Sequence, residues 1–138
     1  MLTIQLDVVT AERLLFSKHV DGVVVPGDMG ELTVLPHHAP LLTTLKSGEL
    51  RVINGSEESH IAVSSGFMEV MGNKVTVLAD TAERSGEINI ERAEEAFKKA
   101  HEEMASATND ADLEKALASI RRSQARIKVA RRRRKRAM

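Results

Sequence analysis

The sequence predicts a β + α protein: an antiparallel β-sandwich or barrel over residues 1–84, then an antiparallel two-helix hairpin over residues 85–138. Two observations predict it. As far as Asp80, short apolar segments alternate with polar residues, with turn signals every eight to ten residues. From Ile90 the apolar residues recur at three–four spacing, the period of an amphipathic helix. A third observation separates the two parts by charge. Residues 1–114 carry 9 Lys/Arg and all 20 Asp/Glu, whereas residues 115–138 carry 11 Lys/Arg and no acid, although the net charge is zero.

The elements follow in order. Ile4, Leu6 and Val8 alternate with Gln5, Asp7 and Val9, as in a half-buried strand. Leu14–Phe16 and Val20–Val25 are further short apolar segments, and Glu31–Leu35 follows a glycine turn. Residues 26–48 hold all three prolines, which fix φ and remove donors, and predict a rigid docking loop. Glu49–Ile53 alternates again, and Asn54-Gly55 signals a hairpin whose loop can reach Glu58. Ser59–Ser64 and Phe67–Met71 read as two strands with Ser64-Ser65-Gly66 as a turn between them. A Gly72-Asn73 turn leads into Lys74–Ala79, and residues 81–87 (TAERSGE) read as a polar linker. In the first helix Ile90, Ala93, Phe97, Ala100, Met104 and Ala107 form one stripe, capped by Asn89. Thr108-Asn109-Asp110 breaks the run. The second helix starts at an Asn109 or Asp110 cap and carries Leu113, Leu117, Ile120 and Ile127. An alanine-rich first helix and an apolar stripe ending at Ile127 predict a weakly held seam, loosest at its C-terminal end.

Composition excludes several functions. There is no cysteine, Trp or Tyr, and Phe16, Phe67 and Phe97 are the only aromatics. Thiolate metal sites, cysteine nucleophiles and base-stacking platforms are therefore absent. The start has no signal-peptide pattern, and no apolar run approaches the ~20 residues that span a bilayer. There is no Walker A loop, GxGxxG or GxSxG motif. Ser64-Ser65-Gly66 lacks the context of a nucleophile. His37-His38 lacks a carboxylate at ligand spacing, so a surface role fits better than a metal. No catalytic constellation is found, and no metal or required cofactor is expected.

The basic run has several readings from the residues alone. Arg121, Arg122, Arg126, Lys128 and residues 131–136 would wrap most of a helix, suiting phosphates, an anionic surface or an acidic protein. A small basic-tailed nucleic-acid-binding protein is the alternative that the missing aromatics argue against. In an antiparallel hairpin Arg92, Arg122 and Arg126 converge near the first helix's N-terminus. They form either an anion site there or ordinary ion pairs with Glu87, Glu91, Glu94 and Glu95.

The segments GELTVLPHHAPLLTTLKSG, IAVSSGFMEV and KVTVLADTAER, followed by INIERA, resemble the epsilon subunit of bacterial F-type ATP synthase over essentially the whole chain. That resemblance implies a sandwich of about ten strands that docks on the gamma subunit and the c-ring, and a regulatory hairpin. It implies a non-catalytic subunit of the central rotor stalk of a proton-translocating enzyme, which couples the catalytic head to the c-ring. Glu31, His38 and Leu42 match the c-ring end, supported by Leu41. Arg131, Arg132, Arg133 and Arg134 match the part that reaches acidic loops of the catalytic beta subunits, beside alpha, and resists ATP hydrolysis. Some relatives bind a regulatory ATP through an I/L-D-x-x-R-A motif. The matching positions here are Glu83, Arg84, Ile88, Asn89, Arg92, Ala93, Arg122 and Arg126, with Asn89 in place of the acid. The implied location is peripheral, on the cytoplasmic side of the cell membrane, or on the thylakoid membrane of a photosynthetic host.

Overall fold

A computed structural model describes residues 2–137, with side-chain surroundings for residues 2–132. Eight strands precede two helices among the described residues. They are β1 (Ile4–Val9), β2 (Leu14–Val20), β3 (Gly22–Gly27), β4 (Gly30–Val34), β5 (Leu41–Leu45), β6 (Gly48–Asn54), β7 (Glu57–Met71) and β8 (Lys74–Arg84). The helices are α1 (Ile90–Ser106) and α2 (Asp110–Ala137).

The length of β7 and β8 reconciles eight strands with the ten implied by resemblance. Residues 57–63 of β7 pair with β6, and residues 66–70 pair with β5. β8 follows β7 from Met71↔Lys74 to Ile61↔Arg84. One layer is thus β2, β1, β8, β7 and β5, and the other is β4, β3, β6, β7 and β8. Met68 and Val70 face the core from the first layer, and Ile61 and Val63 from the second, so the inward face changes from even to odd numbers. The change falls at Ser64-Ser65-Gly66. These residues were expected to form a turn and instead bend a continuous strand. A Cβ on Gly66 would lie 2.0 Å from the Leu78 carbonyl oxygen, so only glycine lets the two backbones come this close.

Three further expectations are corrected. β1 and β8 pair in parallel, from Gln5↔Lys74 to Val9↔Leu78, while the other ladders are antiparallel. No hairpin joins β1 to β8, so turn geometry does not impose a direction. The predicted linker over residues 81–87 is half strand: Thr81–Arg84 complete the ladder, and only a 3-10 turn, Ser85–Glu87, precedes α1. The Asn54-Gly55 hairpin closes on two residues, since Asn54 pairs with Glu57. The Gly72-Asn73 turn is as expected, with both residues at positive φ (59° and 56°).

The core between the layers is aliphatic. Ile4, Leu6, Val8, Met68, Val70, Val75 and Val77 meet Val23, Val25, Leu50, Val52, Ile61 and Val63, all essentially inaccessible. Each contributes on the order of 1.5–3 kcal/mol by leaving water.

The helices form a third layer. Asn89 caps α1, its side chain accepting from the Arg92 amide at 3.0 Å. Asn109 caps α2 in the same way, accepting from the Asp112 amide at 2.8 Å. α2 packs on α1 and on the outer face of the second sandwich layer, where Ala62, Ile88, Ile90, Val129 and Ala130 form a second buried cluster. Its buried face is Ala116, Ile120, Ser123, Ala125, Val129 and Ala130, so of the predicted stripe only Ile120 is buried. Leu113 is exposed, and Leu117 and Ile127 are half-buried. The helix must satisfy two surfaces at once, and small residues let it approach both. Beyond Ile127, where the seam was expected to be loosest, Val129 and Ala130 are fully buried.

Candidate functional site

A cleft of about 630 Å³ lies between the sandwich and the hairpin. The second layer supplies Ser64, Thr81, Ala82 and Glu83, α1 supplies Ala96, Lys99 and Glu103, and α2 supplies Ser119, Arg122, Ser123 and Arg126. Arg13, before β2, reaches its rim. The antiparallel hairpin brings these together because residues 96–103 run beside residues 119–126. Three of the sequence-predicted nucleotide residues, Glu83, Arg122 and Arg126, line the cleft. Arg126 Nε stands 2.7 Å from Glu83 Oε1, off the hydrogen-bond axis, while Nη2 donates to Oε2 at 3.4 Å. Arg122 donates to the Ser119 hydroxyl at 3.0 Å.

The other five predicted positions serve the frame around it. Arg84 turns away and donates to the Leu15 carbonyl. Its amide is held by Glu87 at 3.0 Å, and Glu87 pairs with Arg13 at 2.9 Å. The Arg13 guanidinium and the Arg84 amide hold the Glu87 carboxyl below its usual value. Ile88 and Ala93 are buried under α2, and Asn89 is the α1 cap. Arg92 is exposed and does not line the cleft, so Arg92, Arg122 and Arg126 do not converge. The sequence reading missed Lys99 and the hydroxyls of Ser64, Thr81, Ser119 and Ser123. Lys99 lies in the stretch of α1 that runs beside residues 119–126, and the hydroxyls carry no pattern along the chain.

A second constellation binds α2 to the sandwich. Glu49, at the start of β6, is 7% exposed. Arg132 donates to it through two nitrogens, both at 2.9 Å. His60 Nδ1 lies 3.1 Å away and Lys128 Nζ 3.8 Å. Burial pushes the Glu49 carboxyl up, but Arg132, with smaller help from His60 and Lys128, outweighs this and leaves it below the ordinary carboxylate value. Arg131 is exposed on a groove with Phe97 and Ile127. The side chains of Arg133 and Arg134 lie outside the described residues.

The residues matched to the c-ring end lie on three neighbouring segments of the chain. Glu31 opens β4 and pairs with Arg51 at 3.6 Å. His38 lies in the turn after β4, its amide donating to the Leu35 carbonyl at 3.2 Å. Its neighbour His37 has a left-handed φ of 64°, and its amide is held by Asn73 at 2.8 Å. Leu42, on β5, is 71% exposed. It sits on the outer face of the first layer, which no helix covers. Across that face Leu14, Val9, Leu78 and Phe67 stand opposite one another in one row, and Leu14, Leu78 and Phe67 are each more than half exposed. No group of three or more residues suited to holding a metal ion, and no helix long and apolar enough to cross a membrane, occurs among the described residues.

Comparison with known proteins agrees with this division. Residues 3–85 match the family "ATP synthase, Delta/Epsilon chain, beta-sandwich domain", and residues 87–131 match "ATP synthase, Delta/Epsilon chain, long alpha-helix domain". The ATP synthase epsilon chain of Dehalococcoides mccartyi (strain CBDB1) is 52% identical over 98% of this chain and 97% of its own. That of Herpetosiphon aurantiacus is 45% identical over 98% and 99%. In the cryo-EM structure of Euglena gracilis mitochondrial ATP synthase (OSCP/F1/c-ring), one chain shares the fold with a TM-score of 0.81 at 20% identity, covering 94% of this chain and 82% of that one. The nucleic-acid-binding alternative has no counterpart among these relatives. By two family models that together span nearly its whole length, and by its close epsilon-chain relatives, the chain belongs to the ATP synthase Delta/Epsilon chain family.

Proposed function

We propose that the chain is a non-catalytic subunit of the central stalk of a proton-translocating F-type ATP synthase. In this reading the sandwich joins the gamma subunit to the c-ring, and the basic end of α2 restrains ATP hydrolysis against the acidic loops of the beta subunits, beside alpha. The observation that carries the reading is the unequal use of the two sandwich faces. One is occupied by α2, and the other is bare and apolar along the row from Leu14 to Phe67. An exposed apolar row rimmed by polar residues marks an interaction face. The gamma subunit is assigned to that row, and Glu31, His38 and Leu42 to the c-ring end. The subunit is peripheral, on the cytoplasmic side of the cell membrane, or on the thylakoid membrane if the host is photosynthetic.

Copurification tests the docking reading. Leu78→Asp, at a half-exposed site, leaves the sandwich folded and abolishes recovery with the gamma subunit and c-ring. Undiminished recovery of the folded variant would count against that face.

The cleft supports a regulatory ATP. Its volume suits a nucleotide, and Lys99, Arg122 and Arg126 offer cationic groups for phosphates. Bound ATP would stabilise the docked hairpin by mass action. Titration calorimetry on the whole chain is expected to give saturable heat with ATP, much reduced in Arg126→Ala. An absence of heat at millimolar ATP removes this part of the reading.

A further inference from the structure

We propose that Glu49 is a latch: it holds α2 on the sandwich and, by doing so, withholds Arg132 from any other acidic protein segment. The arrangement of the contact carries this. The apolar cluster under this end of α2 is thin: Val129 and Ala130 meet Ala62 of the sandwich, with Ile88 and Ile90 from the entry into α1. A two-pronged guanidinium–carboxylate bond, at 2.9 Å on both prongs, sits beside it and supplies direction that small side chains cannot. Arg132 is the second residue of the basic run over residues 131–136, so the bond stands at the threshold of that run.

The charges around Glu49 come from every element packed there. On α2 they are Arg132 and Lys128. On β7 they are His60 and, behind it, Glu58, 3.9 Å from His60 Nε2. On β6, Arg51 is occupied by Glu58 at 3.5 Å and Glu31 at 3.6 Å. Arg51 is therefore not free to replace Arg132.

The latch is reversible for a physical reason. Glu49 is on the outer face of the second layer and is buried by the helix above it. When α2 lifts, the carboxylate meets water and keeps His60, so no charge is stranded in the core. Arg132 is released in the same step. An acidic segment elsewhere then competes with Glu49 for the same guanidinium, and docking and outward binding exclude each other. The latch stands on this geometry, and only the identity of the competing segment rests on the functional reading above.

Hydrogen exchange on the whole chain tests it. Glu49→Gln and Arg132→Gln should each raise exchange across residues 120–132 by about tenfold, leave β1 and β8 protected, and show no further increase when combined. In parallel, fluorescein-labelled poly-L-glutamate should bind Glu49→Gln more tightly than the parent chain. It should not bind Glu69→Gln more tightly, which makes the same charge change on the bare face. Unchanged α2 exchange in Glu49→Gln, additive effects of the two substitutions, or equal poly-glutamate binding by Glu49→Gln and Glu69→Gln overturns the proposal. Should Glu49→Gln loosen the sandwich itself, Arg132→Gln decides alone, and parent-like α2 protection in it overturns the latch. A negative result for inhibition in the assembled enzyme would refute the functional reading and leave these exchange results standing.

Discussion

At the residue scale, the charges that matter most are those whose partners lie far away in sequence. Glu49 reads in the sequence as one polar tooth of an alternating strand, next to Leu50. Nothing local shows that a helix 83 residues later covers it. Asn89 was the reverse case, since a capping side chain three residues before the amide it binds is a local pattern. The Glu49 environment makes a pH prediction with a definite sign. Its folded carboxyl lies below its ordinary value of 4.5, so its contribution to docking is complete above about pH 4.5 and is lost as pH falls through the lower folded value. Asp7, held by Ser17 and Gln5, and Glu87, held by Arg13 and Arg84, are depressed in the same direction and weaken the sandwich over the same acid range. With exchange at each pH normalised to the intrinsic amide rate, the protection of α2 should therefore fall from pH 6 to pH 3, and the fall should be smaller in Glu49→Gln. An identical pH dependence in the two proteins would assign the acid sensitivity to the other carboxylates.

At the element scale, periodicity located nearly every strand, because alternate residues of a half-buried strand must alternate in polarity. It could not show that two of them were one. β7 changes its inward face at Ser64-Ser65-Gly66, and a change of phase looks like an end in a one-dimensional pattern. The buried face of α2 was misplaced for a related reason. Leucine and isoleucine dominate a hydrophobicity reading, yet Ala116, Ser123, Ala125 and Ala130 are among the buried residues of α2 while Leu113 is exposed. The caps were legible, and they give the next prediction. Asn89→Ala should cost about 1 kcal/mol of hairpin stability, while Asn89→Asp should stay within a few tenths, since both asparagine and aspartate cap well. Urea midpoints of the helical circular-dichroism signal measure both. If the alanine variant matches the parent, the cap is not holding α1. Relatives with an acid at this position would, on this account, use it as a cap as well as a charge.

At the scale of the whole molecule, the charge split visible in the sequence corresponds to a physical one. The acidic part folds as the sandwich and α1, and the basic part is the outer length of α2. Attraction between that length and acidic loops acts over ~8 Å at physiological ionic strength, so it needs close approach and weakens with salt. Removing everything after Asn109 should raise ATP hydrolysis by the assembled enzyme while leaving assembly intact. Unchanged hydrolysis in the truncated complex would refute the restraint. The cleft was the least legible feature. It exists only where the strand corner and two helices meet, and its hydroxyl groups carry no pattern along the chain. The corner has one more consequence. Because β7 and β8 run through both layers, a sideways load applied to the bare face reaches the helix-bearing face along peptide bonds, without relying on side-chain friction. A subunit built this way resists shear as a single stiff block and yields by peeling at its outer strands, β2 and β4, so the perch of the hairpin is among the last parts to give.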